Sequence, residues 1–300
     1  MRTRFRTRWL RLQRILGLWL LWLYGAPLSA QKPIFIYYID TSATTGMVEI
    51  TNEEGMKDLA LWKTRSIVEL EYHDTIATAV PEFILALDSA RNVGLFMKQT
   101  NEAVVTQLLT RSFGSLSVNV EQLEELRIAG ECHTPRFYLE CRSIKLIDLE
   151  HAGGLLDVGI DHAPALRTCR IGNSVNSLSL NDVGCAGGAT VTFAYGPERK
   201  HMALFDIHDF CGTVHYDWQR GDVGQMHVDL NAWRMMVANS HPVGCGSACV
   251  SVSQLYMSAP PGRTVESIRN EVDTPFADPK RCGMYFSLYI EGGGIGPNLR

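Results

Sequence analysis

Several features are absent from this 300-residue chain, and their absence excludes whole classes of protein before any motif is considered. Beyond the first 30 residues, no apolar stretch approaches the length that is needed to span a bilayer. No run of basic residues follows that point either, and the formal net charge is −4, so nucleic acid is not an expected partner. Low-complexity tracts and blocks of like charge are also absent, which favours a folded chain over a disordered one.

The first 30 residues have the composition of an export signal. Five arginines lie among the first eleven residues, an apolar stretch runs from Ile15 to Tyr24, and small residues precede Gln31. These are the charged, apolar and cleavage regions of a secretory signal in their usual order. No cysteine follows the expected cleavage site to accept a lipid. The sequence therefore predicts an exported protein, located in the periplasm, at the cell surface or outside the cell, with no membrane span after signal removal.

The rest of the chain carries a repeat with a period of about 22 residues. Each repeat begins with two apolar residues that flank one other residue. The pairs are Val48/Ile50, Val68/Leu70, Val93/Leu95, Leu116/Val118, Phe137/Leu139, Leu156/Val158, Leu178/Leu180, Phe205/Ile207, Val228/Leu230 and Val250/Val252. A second run with the spacing L-x-x-L-x-L follows several of them: Met56/Leu59/Leu61, Val80/Phe83/Leu85, Leu123/Leu126/Ile128, Ile144/Ile147/Leu149 and Leu166/Cys169/Ile171.

This pattern predicts a mainly β solenoid of about ten short turns, with two strands in each turn. A single turn buries almost nothing, whereas stacked turns bury a continuous core. Evenly spaced strands are also compatible with an antiparallel β-sandwich or a mixed α+β domain, which remain the alternatives.

The repeat also divides the chain into regions. We expect a signal peptide over residues 1–30, an N-terminal cap strand over 31–46, the repeat solenoid over 47–258, and a C-terminal cap and tail over 259–300. The cap is expected because the first and last turns of a solenoid otherwise expose their apolar faces to water.

The segment 155–183 resembles the short leucine-rich repeats of bacterial secreted proteins. It contains a leucine–aspartate–hydrophobic strand at Leu156-Asp157-Val158 and the run Leu166, Cys169, Ile171, with Asn173 near the position of the family's asparagine ladder. The resemblance is clear over about 115–183 only. It implies a curved, exported recognition scaffold, of a kind that usually binds protein or carbohydrate on its concave sheet.

The function hypothesis is accordingly a secreted, non-enzymatic recognition or adhesion module at a bacterial cell surface, without a cofactor. In the predicted register, the residues that point outward beside the second apolar run include Trp62, Arg127, Asp148 and Arg170. Aromatic and arginine side chains dominate the energetics of protein interfaces. These four residues are therefore the candidate contacts for a protein or carbohydrate ligand.

A metal-dependent hydrolase is the competing hypothesis. Three strand-like segments each place an aspartate and a histidine two residues apart, and hence on one face of a strand. The pairs are Asp206 with His208, His215 with Asp217, and His227 with Asp229. If the strands were neighbours, these side chains could bind zinc. The solenoid register separates the middle pair from the outer two, because alternate strands belong to different sheets. A third hypothesis, a structural envelope component, predicts self-association.

The sequence contains eight cysteines, and cysteines of exported proteins commonly form disulfides. Cys169 occupies a core position of the second run, where a small thiol packs as an apolar side chain. Cys132 with Cys141, and Cys245 with Cys249, are close enough in sequence to close local clips.

Overall fold

The computed structural model describes residues 35–40, 48–50, 67–196, 200–218, 221–239, 250–258, 260, 262–273 and 287–291. All of them belong to one compact unit, Phe35–Arg300. The predicted signal peptide, the candidate contact Trp62 and the Cys245/Cys249 pair lie outside the described residues.

Seventeen strands and four helices are described. The strands of the larger sheet are β1 (Phe35–Asp40), β2 (Val48–Ile50), β3 (Ile67–Asp74), β4 (Ser89–Gln99), β5 (Ser112–Gln122), β7 (Arg136–Glu140), β9 (Asp157–Ala163), β11 (Ser177–Val183), β13 (Lys200–Phe210), β15 (Gly221–Asp229), β16 (Val250–Ser258) and β17 (Ser287–Glu291). Those of the smaller sheet are β6 (Glu125–Glu131), β8 (Leu146–Gly153), β10 (Thr168–Ile171), β12 (Ala189–Gly196) and β14 (Gly212–Trp218). The helices are α1 (Glu82–Leu85), α2 (Glu102–Leu109), α3 (Leu230–Asn239) and α4 (Val265–Asp273).

The chain winds between the two sheets. From β5 to β15 it passes alternately through a strand of the larger sheet and a strand of the smaller one. Equivalent strands of successive turns pair in parallel, and among the described strands only β1 is antiparallel to its neighbours, β2 and β3. The result is a mainly β protein with a parallel β-solenoid of about seven turns. Parallel pairing excludes the antiparallel sandwich, so the predicted solenoid is confirmed, whereas the count of about ten turns is not.

Buried side chains of the larger sheet form columns that run across the turns. Leu116, Phe137, Val158, Leu178 and Phe205 lie opposite one another on β5, β7, β9, β11 and β13. Each is at most 3% exposed. Since a strand turns alternate side chains to opposite faces, residues two positions further on form a second inward column.

The sequence register is shifted by two residues in β9. The sequence predicts that Leu156 and Val158 form the buried pair, but Leu156 is 49% exposed. Instead Val158 lies opposite Leu178, and Ile160 lies opposite Leu180. Because residues 156, 158 and 160 are all apolar, the sequence is compatible with a buried pair at 156 and 158 or at 158 and 160. The pairing with β11 decides between them.

The same ambiguity affects the strands toward the ends of the solenoid. In β3 the buried residues Leu70 and Tyr72 lie opposite Val93 and Leu95, whereas the sequence predicts that Val68 and Leu70 align with them. Near the C-terminus the parallel pairing continues from β16 to β17, so the larger sheet extends beyond residue 258, the predicted end of the repeat.

Helices replace strands of the smaller sheet in the terminal turns. The sequence predicts a strand for Val80, Phe83 and Leu85, but this run overlaps α1. Phe83 and Ile84 are adjacent and both are at most 1% exposed, as is Leu87. A strand would turn Phe83 and Ile84 to opposite faces, whereas positions i, i+1 and i+4 share one face of a helix.

Polar side chains mark the starts of the longer helices. Asn101 accepts a hydrogen bond from the Val104 amide at the start of α2 (3.0 Å), and Asp229 accepts one from the Ala232 amide at the start of α3 (2.7 Å). Such caps satisfy amide groups that have no partner within the helix. In the described part of the chain, no helix has both the length and the apolar character to cross a membrane.

The smaller sheet follows the predicted second runs closely. Leu126, Ile147, Cys169, Val191 and Val214 form one inward column, and each is at most 1% exposed. Burial, together with the nearby Asp148 carboxylate, raises the pKa of the Cys169 thiol to about 12. Cys169 is therefore a neutral core side chain, as its place in the repeat predicts.

Cys132 and Cys141 do not form the clip that their spacing allows. Both are free thiols, and the extended strand β7 lies between them. Five residues of strand span about 16 Å, whereas a disulfide requires Cα atoms within about 7 Å of each other.

Candidate binding surface

The outer face of the larger sheet is the most extensive ordered surface on which side chains from successive turns align. We define its middle row as the outward residues between the two buried columns. The row consists of Glu71, Gly94, Ser117, Tyr138, Gly159, Ser179, Asp206, His227, Tyr256 and Tyr289, each paired with the next. Side chains in one row of a parallel sheet lie about 4.8 Å apart, so neighbouring members contact each other.

Four members at the C-terminal end of this row form what we call the aromatic strip: Asp206, His227, Tyr256 and Tyr289. The rings of His227 and Tyr256 stack with centroids 4.6 Å apart, and those of Tyr256 and Tyr289 with centroids 4.9 Å apart. Rings that stack on one another cover each other's faces. Tyr256 lies between two rings and its hydroxyl group donates to Gln254 Oε1 over 3.1 Å, so the edge of its ring is the part that remains for a ligand. Tyr289, at the end of the strip, is 44% exposed.

One polar atom of the aromatic strip is buried without a hydrogen-bond partner among the described residues, and it is Nε2 of His227. The neighbouring Asp206 Oδ1 lies 2.8 Å from His208 Nε2. An unpaired buried polar group costs about 1–3 kcal/mol. A ligand group that hydrogen-bonded His227 Nε2 would remove that penalty.

Glycines elsewhere in the row make room for aromatic rings. A Cβ atom at Gly159 would lie 2.6 Å from Cδ1 of Tyr138, and one at Gly94 would lie 3.3 Å from the Phe96 ring. Phe96 in turn stacks on His73, with centroids 4.1 Å apart. The Tyr138 ring therefore lies over Gly159 and is 43% exposed.

Hydrogen bonds between turns fix the polar side chains that flank the middle row. Asn181 Nδ2 donates to Asp161 Oδ1 over 2.7 Å, and Ser115 Oγ donates to Asn92 Oδ1 over 2.8 Å. Each bond joins neighbouring strands. The side chains of this face are thus held in place before any ligand arrives, which reduces the entropy lost on binding.

The outer face of the larger sheet is acidic. Its described carboxylates outnumber its described cations, which include Arg136 on β7 and Lys98 on β4. The carboxylates are those of Glu69, Glu71, Glu140, Asp157, Asp161 and Asp206. A surface with one sign of charge attracts a partner of the opposite sign.

The candidate contacts predicted from the sequence lie on the smaller sheet. Arg127, Asp148 and Arg170 are consecutive members of one outward row, on β6, β8 and β10. The structure therefore brings these three residues together. Arg127 is ion-paired with Glu125, and Arg170 with Glu150. Both arginines already have carboxylate partners within the chain.

The six residues of the predicted zinc site are divided between the two sheets. His215 and Asp217 lie on β14 in the smaller sheet, whereas the other two pairs lie on the adjacent strands β13 and β15 of the larger sheet. Asp229 caps α3 and also accepts a hydrogen bond from the Asp209 amide (2.6 Å). Among the described residues, no three His, Cys, Asp or Glu side chains are grouped as metal ligands.

Tyr256 and Tyr289 were missed by the sequence analysis. The predicted register placed the inward pair of β16 at Val250 and Val252, whereas the structure places Leu255 opposite Met226. Residues 259–300 were assigned to a cap, so Tyr289 had no place in the repeat. The alternation Leu255, Met257 and Leu288, Ile290 is the signal that could have found both tyrosines.

No model of a known protein family matches this chain, and no curated protein or solved structure is significantly similar to it.

Proposed function

We propose that this protein is an exported, non-enzymatic recognition scaffold that binds a partner protein with a basic surface through the outer face of its larger sheet. The observation that carries the proposal is the aromatic strip, in which the unpaired His227 Nε2 and the Asp206 carboxylate lie beside two stacked tyrosines. Tyrosine is enriched at protein interfaces because it offers a large contact area and a polar group at a low entropic cost.

A protein partner fits the strip better than a carbohydrate does. Sugar rings pack on the open faces of aromatic rings, but both faces of the Tyr256 ring and one face of the His227 ring are covered by neighbouring rings. The acidic character of the same sheet adds a preference for lysine and arginine side chains on the partner. Arginine in particular can hydrogen-bond a carboxylate and stack on an aromatic ring at the same time.

The resemblance to bacterial leucine-rich repeats is consistent with this role, since it implies a repeat scaffold that binds ligands on a sheet. Export remains part of the proposal. It rests on the arginine-rich and apolar segments of residues 1–30. Fusing these residues to a reporter enzyme that becomes active only after export tests this part separately.

Binding is best tested with arrays of defined probes and two matched variants. The full chain is applied to synthetic peptides that combine Lys or Arg with aromatic residues, and to a glycan array. One variant carries Asp206→Asn and Tyr256→Ala on the larger sheet. The other carries Arg127→Ala and Arg170→Ala on the smaller sheet, where the sequence places the contacts.

We expect the wild-type protein to bind the basic peptides with an affinity that decreases as salt increases. The larger-sheet variant should lose roughly 10- to 30-fold in affinity, about 1.4–2 kcal/mol, which is typical of an interface hot spot. The smaller-sheet variant should bind as the wild type does. Loss of binding in the smaller-sheet variant alone would instead identify Arg127 and Arg170 as the contacts. Binding to glycans only would overturn the choice of a protein partner.

A further inference from the structure

Two cysteines that are far apart in sequence meet at the edge of the solenoid. Cys185 follows β11 and Cys211 follows β13, and these strands are neighbours in which Val183 lies opposite Phe210. The Cys211 amide donates to the Val183 carbonyl over 3.0 Å. The Cys185 thiol donates to the Asp209 carbonyl over 3.2 Å. Each cysteine therefore contacts backbone that lies two residues from the other.

The two thiols also contact each other. A hydrogen bond with the Cys211 side chain is, after burial, the second cause of the raised pKa of Cys185, which is about 12. Cys185 is exposed and Cys211 is partly exposed, unlike Cys132, Cys141 and Cys169, which are buried. A reagent in solution can therefore reach Cys185 and Cys211.

We propose that Cys185 and Cys211 form a disulfide bond that ties two successive turns of the solenoid together. In the reaction, the more exposed Cys185 thiol loses its proton and attacks a disulfide donor, such as oxidised glutathione or a thiol–disulfide oxidoreductase. A mixed disulfide forms, and one donor thiolate leaves. Cys211, deprotonated in turn, attacks the Cys185 sulfur, and the second donor thiol is released. The two cysteines lose two electrons and two protons, and the donor takes them up.

The surroundings favour a structural bond rather than a catalytic one. The carboxylates of Asp182 and Asp209 contribute to raising the pKa of Cys185. A thiol with a high pKa is a poor leaving group, so reduction of the bond by another thiol is slow. The cross-link would span β12 and β13, and hence a full turn that passes through both sheets. Cross-links of this kind stabilise a fold mainly by restricting its unfolded state.

The test uses the full chain, treated under native conditions with oxidised glutathione and then with an alkylating reagent. Peptide mapping by mass spectrometry identifies the linked cysteines. Cys185→Ser and Cys211→Ser are the test variants. A Cys245→Ser/Cys249→Ser double variant is the matched control, because it removes another candidate pair and keeps this one.

We expect a Cys185–Cys211 linked peptide in the wild type and the control, with a loss of about 2 Da for each bond formed. Oxidation should raise the midpoint of thermal unfolding of both proteins by about 5–10 °C. It should leave the midpoint of the two test variants unchanged. Recovery of both cysteines as free thiols, or as glutathione adducts without a link, would overturn the proposal. If a variant fails to fold, the wild-type peptide map decides alone. The result is independent of the proposed binding role.

Discussion

At the scale of single residues, the solenoid depends on positions where the backbone takes a conformation that most side chains resist. His162, Asp182 and Asp209 have φ values of 46°, 51° and 47°. They occupy equivalent positions near the ends of β9, β11 and β13, one residue before the paired residues Ala163, Val183 and Phe210. Asp and Asn tolerate positive φ better than other residues do, because their short polar side chains bond locally. The same corner thus recurs in three successive turns.

Substitutions at two glycines allow the free-energy cost of a positive φ to be measured apart from the cost of a close contact. Gly130 and Gly154 have φ values of 95° and 77°. A Cβ atom at Gly130 would meet nothing within 4 Å, whereas one at Gly154 would overlap the carbonyl oxygen of Cys132. We expect Gly130→Ala to reduce the free energy of unfolding by about 1–2 kcal/mol, the cost of the left-handed conformation alone. Gly154→Ala should reduce it further, because neighbouring turns must also separate.

Urea denaturation followed by circular dichroism measures both effects. Equal losses in the two variants would show that the contact with Cys132 does not restrain the stacking of turns.

At the scale of the element, each strand contributes stability through the side chains of its inward columns. Leu178 on β11 is fully buried between Val158 and Phe205, whereas Leu156, which precedes β9, is 49% exposed. We expect Leu178→Ala to reduce the free energy of unfolding by about 2–5 kcal/mol, because it leaves a cavity in the column. Leu156→Ala is the matched control and should cost less than about 1 kcal/mol.

Chemical denaturation of the two variants also tests the strand register. A larger loss for Leu156→Ala than for Leu178→Ala would favour the register that the sequence predicts over the one that the structure shows.

At the scale of the whole molecule, each turn is held mainly by the turns beside it. In the described part of the chain, the larger sheet ends in β2 on one side and in β17 on the other, and each of these strands pairs with a single described neighbour. In stacked repeats, stability is approximately a sum of terms for each repeat and each interface between neighbours. The central turns, with neighbours on both sides, should therefore be the last to open.

Native-state hydrogen exchange tests this expectation. Amides of β9 and β11 should exchange slowest, and those of β17 fastest, because local opening costs least at an edge. Similar protection of β11 and β17 would instead indicate that the solenoid unfolds as one cooperative unit.

Much of the central fold could be predicted from the sequence. The apolar runs that contain Leu126, Ile147 and Cys169 predicted the inward residues of the smaller sheet. Residues at these spacings share one face of a strand, and no other apolar residues in the runs offer an alternative register. The terminal turns could not be predicted as well. Around Phe83 the same residues suit a strand or a short helix. In the structure they form a helix in which Phe83 and Ile84 are both buried.

The candidate site was less predictable than the fold. The sequence places Arg127, Asp148 and Arg170 on one surface, and the structure brings them together. It offers no means of pairing Tyr256 with Tyr289, since the 32 residues between them interrupt the repeat. The aromatic strip exists only because parallel pairing aligns these two strands.

The sequence by itself predicted that the chain coils, because its periodic apolar residues are buried when successive copies stack. It left an antiparallel sandwich open, and the parallel pairing of the strands excluded it. Tertiary structure alone decided which side chains of different turns meet, including Cys185 with Cys211 and Asp206 with His227. The physical reason is that insertions of variable length separate the strands. Only the hydrogen bonds between neighbouring strands, and the fit of the buried columns, set the register across those insertions.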